Sequence, residues 1–311
     1  MIDFIRIPEM VRFLLVVGIL LGPLILPMKV SGQELTLISS DRILILAPHP
    51  DDEVLCCGGM IQQAAEAHIP VLVVFLTNGD YNRWSMTVYR HHPVFRPSSM
   101  LELGEIRRQE SLSAAEVLGI GPKALVFLGY PDFGTLTIWK HHRGSIPAFE
   151  NPHTRMSAVP YAFAYRPKAP YKAEEISRDI EAIMKDFQPT KVFYPQSTDI
   201  MPDHRALYLF VNELFQRSNE QQPERFGYLV HAKDWPQPRG LHKDRTLEPP
   251  PVLKDRYHWV TLTLTPAQVS TKLLALQKHR TQYGYSQRFL NSFVRKNELF
   301  ESVQGAVEST P

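Results

Sequence analysis

Cysteine is nearly absent from this chain: its 311 residues include two, Cys56 and Cys57, adjacent in sequence. A disulfide between neighbours is strained. No disulfide framework supports the fold, so stability must come from a buried core and from any metal the chain binds. A dominant charge of one sign is also lacking. Formal net charge is only +2, which gives no electrostatic footprint for nucleic acid, and no nucleic-acid partner is expected. Internal repeats are absent. Hydrophobic residues make up 44% and charged residues 21%, a balance that excludes wholesale disorder and allows a substantial core.

The first 33 residues differ from the rest. Arg6 and Arg12 flank a short start, and an uncharged apolar run follows from Phe13 to Leu26. That run is about 14 residues long, shorter than the roughly 20 of a membrane span, and fits the core of a signal peptide. Pro23 and Pro27 argue against one long helix. Small residues at Val30 and Gly32 stand where a signal peptidase would cut. The expectation is a leader at 1–33, acting as a signal peptide or, uncleaved, as an N-terminal membrane anchor. A single domain is expected over 34–311. The protein is then exported, periplasmic or extracellular, with membrane association through the leader as the variant. No Cys follows the apolar run, so a lipoprotein is not expected.

Past the leader, segments alternate between strand and helix. Arg42 to Ala47 is a continuous apolar run, as a strand buried on both faces requires. A helical pattern follows from Glu53 to about His68, and Val71 to Leu76 is a second buried strand. Leu101 to Leu118 reads as an amphipathic helix stopped by Gly119. Ala124 to Leu128 is a third strand, followed by Gly129-Tyr130-Pro131-Asp132. Further elements are helices at Ala173 to Phe187 and Asp203 to Gln216, and strands at Lys191 to Tyr194, Phe226 to His231 and Tyr257 to Leu264. The last helix is expected from Pro266 to Arg280, with Thr265 as its cap. This order predicts an α/β fold: a Rossmann-like, mainly parallel sheet with helices on both faces and long loops at the carboxyl ends of the strands. Ligands bind beyond those ends.

Two clusters of ionisable residues fall there. His49, Asp51 and Asp52 directly follow the first buried strand. Asp199-Ile200-Met201-Pro202-Asp203-His204 follows another strand and opens a helix. Charge near a core is costly unless paired or metal-bound. Imidazole and carboxylate are a partial set for Zn²⁺, whose catalytic sites take three protein ligands and leave one position open. The bland alternative is that Asp52 and Asp203 only cap the helices they precede.

At these residues the chain resembles the LmbE-like, PIG-L-type zinc deacetylases, which act on N-acetylglucosamine derivatives. Ala47 to Glu53 matches their first motif, and Pro202-Asp203-His204 their second. Arg107 to Glu110 with Leu118-Gly119 matches an Arg-x-x-Glu helix ending in Leu-Gly. Lys272 to Gln282 is similar to the closing His-x-(Ser/Thr)-Gln helix. The matches run from about residue 41 to 283. The resemblance implies His49, Asp52 and His204 as ligands of one Zn²⁺ (Fe²⁺ or Co²⁺ being compatible with the same donors) and Asp51 as general base. It implies Asp203 as an orienting catalytic residue and Arg107, held by Glu110, as a binder of substrate hydroxyls or phosphate. The expected substrate is an N-acetylated amino sugar, glycoconjugate or lipid-linked sugar.

One departure stands out. Many relatives carry a His, thought to help stabilise the oxyanion, where this chain has Met201, and a thioether cannot donate a hydrogen bond. His231, at a strand end, is a candidate for pointing into the site and contacting substrate. His279 is expected to pack or hydrogen-bond within the last helix. His91, His92, His141, His142 and His153 fall in long irregular segments, as a substrate rim or as solvated loop. Aromatics there (Trp84, Tyr89, Phe95, Tyr130, Phe133, Trp139) either stack on sugar or anchor the loops. The competing functions are a zinc amidase or esterase acting outside sugar chemistry and a non-catalytic, zinc-supported carbohydrate-binding protein.

Overall fold

The computed structural model describes residues 33–82, 84, 85, 87, 96–218 and 222–303. The expected leader up to Gly32, and His91, His92, Tyr89 and Phe95, lie outside the described residues. Among the described residues, no helix is long and apolar enough to cross a membrane.

Eight strands form one sheet: β1 (Gln33–Glu34), β2 (Ile43–Ala47), β3 (Val71–Thr77), β4 (Leu125–Tyr130), β5 (Lys191–Pro195), β6 (Glu224–Tyr228), β7 (Trp259–Thr263) and β8 (Asn297–Val303). Their lateral order is β1-β7-β8-β6-β5-β2-β3-β4. All pairings are parallel except those of β8, which runs antiparallel to both β6 and β7. Seven α-helices are described: α1 (Asp52–Glu66), α2 (Pro97–Val117), α3 (Thr135–His141), α4 (Ala173–Phe187), α5 (Pro202–Arg217), α6 (Pro266–Leu276) and α7 (Arg280–Leu290).

β2 shows why the sheet is covered on both sides. Its side chains alternate between two cores: Ile43, Ile45 and Ala47 join one, Leu44 and Leu46 the other, and none is more than 1% exposed. Each Leu or Ile buried in this way contributes roughly 1.5–3 kcal/mol. Helices α1 and α6 pack on the first face, α3, α4 and α5 on the second. Cys56 and Cys57 are buried in the first core with sulfurs 3.0 Å apart, as free thiols.

Chain order within the sheet positions the site. From β2 the chain moves outward through β3 to β4, then returns to place β5 on the other side of β2 and β6 beyond it. β2 and β5 are therefore neighbours across which the direction of winding reverses. Their carboxyl ends open a crevice where a ligand can sit.

Besides α3 and the two-residue β1, which the sequence pattern did not announce, two features differ from the reading of the sequence. The expected last helix stops at Leu276, and a separate helix, α7, starts at Arg280. Thr265 does cap α6, in a reciprocal capping box with Gln268. The chain turns at His279 because its imidazole is drawn inward, with Nε2 3.0 Å from Glu53 Oε1; it does not pack within a helix. The second feature is β8, whose sequence NELFESV lacks the apolar run of the parallel strands.

Candidate metal centre

The loop after β2 carries His49 to Asp52 into the crevice. Asp51 holds an unusual backbone conformation, with φ 127°, of a kind that costs on the order of 1–3 kcal/mol. Glu53 holds it there: the Asp51 N–H donates to Glu53 Oε2 at 2.8 Å. Glu53 thus binds the Asp51 backbone with one oxygen and His279 with the other. Neither acid caps its helix. The side chain of Asp51, at the N-cap of α1, makes no capping bond, and Asp52 Oδ2 accepts the His49 N–H at 3.0 Å. Met201 occupies the N-cap of α5. Asp203, fully buried, reaches instead to the start of α3, accepting the Phe133 N–H at 2.7 Å, the Thr135 N–H at 3.3 Å and the Thr135 hydroxyl. Helix capping therefore accounts for neither carboxylate.

The structure brings His49, Asp52 and His204 together, all buried, with one ligand atom of each within 4.8 Å of the others. Asp52 Oδ2 lies 3.3 Å from His49 Nδ1 and 3.2 Å from His204 Nε2. Ligands about 2.0–2.1 Å from a tetrahedral ion stand roughly 3.3–3.4 Å apart, so these separations match edges of a zinc tetrahedron. Neither ring nitrogen of His204 has a hydrogen-bond partner of good geometry. The donor set fits a divalent cation.

Each imidazole also faces an outer carboxylate. His204 Nδ1 lies 3.1 Å from Asp199 Oδ2. His49 Nε2 lies 3.1 Å from Asp203 Oδ2 and 3.2 Å from Asp132 Oδ1. Such partners fix the tautomer and orientation of a metal-binding imidazole. Asp199 stood in the second sequence cluster without a role of its own, and Asp132 was given none, although each is an acid just beyond the carboxyl end of a strand, and that position was the available signal.

Charge follows from this packing. Burial works against a charged His49, yet the surrounding carboxylates of Asp132, Asp203 and Asp52 hold its pKa well above the usual imidazole value. For His204 burial is likewise overcome, by Asp199 and Asp52, and its pKa is pushed up to about 10. Asp51 moves the other way from an ordinary carboxylate. Burial raises it, Arg107 opposes, Asp52 adds repulsion, and the result is about 7, where a general base is effective.

A cleft opens over this cluster, lined by His49, Asp51, Asp52, Arg107, Asp132 and His231, among others. Arg107 is nearly fully buried, and its terminal amines donate to the carbonyls of Gly79 (2.9 Å) and Pro50 (2.5 Å), 3.5 Å from Asp51. Gly79 is required for this approach: its φ is +61°, and a Cβ there would lie 1.8 Å from the guanidinium. Glu110 does not hold Arg107, as the sequence suggested. Its carboxylate accepts the N–H and hydroxyl of Thr281 (2.9 and 2.6 Å), at the start of α7. His231 lines the cleft beside His204, ring centroids 4.8 Å apart; burial and the neighbouring His204 lower its pKa to about 4.

The remaining loop residues divide. His142 Nδ1 is 2.8 Å from the Pro147 carbonyl, and Tyr130 donates to Asp179 at 2.7 Å; both anchor loops. Trp139 packs under Arg143, His141 ends α3 away from the cleft lining, and Trp84 is 69% exposed. Phe133 lines the cleft, and Tyr81 packs against both Phe133 and His153.

Comparison with known proteins gives the family and the fold. A family model described as GlcNAc-PI de-N-acetylase (PIG-L) matches residues 44–215. A probable N-acetyl-alpha-D-glucosaminyl L-malate deacetylase 2 of Bacillus anthracis is 27% identical over 245 residues, covering 78% of this chain and 82% of the relative. Among solved structures, the N,N'-diacetylchitobiose deacetylase of Pyrococcus horikoshii, complexed with an inhibitor, superposes with a TM-score of 0.53 at 20% identity, covering 84% of this chain and 82% of its own. The 4-carboxy-2-hydroxymuconate hydratase of Pseudomonas putida KT2440 also superposes, at 0.53 and 15% identity, covering 87% and 99%. At these identities the structural likenesses establish the fold, and a hydratase among them means that the fold alone does not choose the reaction.

Proposed function

The chain belongs to the PIG-L family of GlcNAc-PI de-N-acetylases, and from that premise we propose that it is a metal-dependent N-deacetylase of an N-acetylated amino sugar. The observation that carries this reading is the placement of Asp52 Oδ2 between His49 Nδ1 and His204 Nε2, with Asp51 beside them on the cleft wall.

In this reading His49, Asp52 and His204 hold Zn²⁺, with Fe²⁺ or Co²⁺ compatible with the same donors. When bound, the ion polarises the amide carbonyl as a Lewis acid and lowers the pKa of water. Asp51 takes the proton of the attacking water. The water oxygen adds to the carbonyl carbon, and the carbonyl π pair moves to oxygen. Return of that pair breaks the C–N bond as a proton reaches the departing nitrogen, giving acetate and a free amine. Asp203 and Asp132 orient His49, and Asp199 orients His204. Arg107 braces the Asp51 loop through Pro50 and Gly79 and sets the charge around the base. It acts as a positioning residue here, nearly fully buried behind the base.

The substrate class is supported by the sugar derivatives named for the Bacillus and Pyrococcus proteins and by Phe133 on the cleft wall, an aromatic surface on which a sugar ring can stack. The substrate is taken as a free glycan, a glycoconjugate or a lipid-linked sugar. The leader composition supports a further part of the proposal, export with or without a retained anchor. Fractionation of the expressed full-length chain tests it, and a wholly cytoplasmic, uncleaved product counts against it.

Metal content and acetate release, measured on one preparation against a panel of N-acetylglucosamine, N,N'-diacetylchitobiose and N-acetylglucosaminyl malate, test the main reading. Stoichiometric zinc with no acetate from any of them would defeat it.

A further inference from the structure

Addition of water to an amide places negative charge on the former carbonyl oxygen. A fixed hydrogen-bond donor beside that oxygen is worth roughly 10²–10³ in rate. The side-chain donors on the cleft wall can be sorted by what they already hold.

Asn82 spends its amide on Gln282 Oε1 (3.0 Å) and on the Tyr285 hydroxyl (2.6 Å). Tyr285 in turn donates to Gln282 Oε1 at 2.8 Å. The Gln282 amide donates to the hydroxyls of Ser85 (2.7 Å) and Thr281 (3.4 Å). These residues form a closed network. Both terminal amines of Arg107 donate to backbone carbonyls and its Nε–H, though unpartnered, is buried away from the cleft surface; Met201 lines the cleft without a donor.

His231 differs. Its backbone is fixed on both sides: the N–H donates to Asp199 Oδ2 at 3.0 Å, and the carbonyl accepts the Ile200 N–H at 3.1 Å. Its ring stands edge-on to the His204 ring, at 77°, and lies over Phe289 at 5.7 Å and 15°. Among the described residues, no hydrogen bond engages either ring nitrogen, and the side chain forms part of the cleft wall. One carboxylate, Asp199, therefore sets both the orientation of His204 and the position of His231. An unengaged donor is held at a fixed offset from a candidate metal ligand, as preorganised stabilisation of developing charge requires.

We propose that His231 is a catalytic residue whose ring N–H stabilises the oxyanion of the tetrahedral adduct, the task for which Met201 is chemically unfit. This rests on the deacetylase reading above and adds to it the residue that carries the charge.

The test compares wild type, His231→Ala and His231→Gln, all loaded with zinc. Metal content, kcat and KM on N,N'-diacetylchitobiose, and affinity for a methylphosphonamidate of glucosamine as a tetrahedral anionic mimic are measured for each. The expected result for His231→Ala is a kcat lower by roughly 10²–10³, a nearly unchanged KM, full zinc and a comparable loss of phosphonamidate affinity. His231→Gln, which keeps a donor, should recover about tenfold of the lost rate. A His231→Ala variant with wild-type kcat, or with undiminished phosphonamidate affinity, overturns the proposal. So does loss of zinc in step with activity, which would make His231 only a support for His204. A zinc-loaded wild type that neither releases acetate nor binds the phosphonamidate instead overturns the deacetylase reading, a result distinguishable from any failure of the variants alone.

Discussion

Asp199 and His204 meet inside the protein, Oδ2 to Nδ1 at 3.1 Å, and neither is more than 1% exposed. The same Asp199 carboxylate also accepts the backbone N–H groups of Met201, Val230 and His231, at 3.0–3.1 Å. It therefore links the ends of β5 and β6 to the His204 ring. Removing its charge while keeping its shape should cost metal affinity before it costs the fold. For Asp199→Asn the expected loss of zinc affinity is roughly 10–100-fold, typical for the outer partner of a metal-binding imidazole. Competition with a chelator of known affinity measures it, and an unchanged affinity would show that this carboxylate does not orient His204.

Asp51 should separate metal binding from turnover. Its carboxylate lies beside Arg107 at 3.5 Å and outside the group formed by His49, Asp52 and His204. Asp51→Asn keeps the volume and removes the proton acceptor. Full zinc content with kcat lower by roughly 10²–10⁴ is the expected outcome. Assaying acetate release and metal on the same sample decides it, since retained activity would remove Asp51 as the base.

Much of this arrangement could be read from the sequence, for a physical reason. A strand buried on both faces must be continuously apolar, so β2, β3 and β5 announce themselves, and an acid or imidazole just beyond such a run stands where ligands bind. The clusters at His49 to Asp52 and Asp199 to His204 were legible in that way, whereas the choice of His49, Asp52 and His204 within them came from the family resemblance. Lateral strand order was not legible, because no local pattern encodes it. Only the placement of β5 against β2 brings His204 to Asp52, and only the return of the chain from β4 sets Asp132 opposite His49. β8 escaped notice because its pairing is antiparallel and its residues mixed. The break at His279 depends on a partner, Glu53, more than two hundred residues away in the chain.

Zinc uptake should release protons. His204, with its pKa pushed up to about 10, and His49, held well above the imidazole range, both carry a proton at pH 7. Metal binding requires neutral imidazoles. Each ring therefore exchanges a proton for the cation, and about two protons should leave per ion at neutral pH. The sign is fixed: below a raised pKa the proton competes with the metal, so affinity falls as pH falls. Calorimetry in two buffers of different ionisation enthalpy counts the protons. A heat independent of the buffer would contradict the expectation.

Asp80 offers a test of the fold next to the cleft. Its Oδ2 accepts the Tyr161 hydroxyl at 2.6 Å, while Oδ1 is buried without a hydrogen-bond partner. Burial, with repulsion from Asp132, raises its pKa from 3.8 to about 7. Between those values the unfolded chain has lost a proton that the folded protein keeps, so stability contributed by this group falls as pH rises through that window. By pH 8 the cost reaches a few kcal/mol, on the order of 1.4 for each unit between the two values. Asp80→Asn keeps an acceptor for Tyr161 and cannot ionise. Urea unfolding at pH 5 and pH 8, with metal content held equal, should show the variant gaining on wild type as pH rises. Other groups titrate in both proteins and cancel in the difference. A stability difference that is the same at both pH values would mean that Asp80 is charged in the folded protein throughout the range.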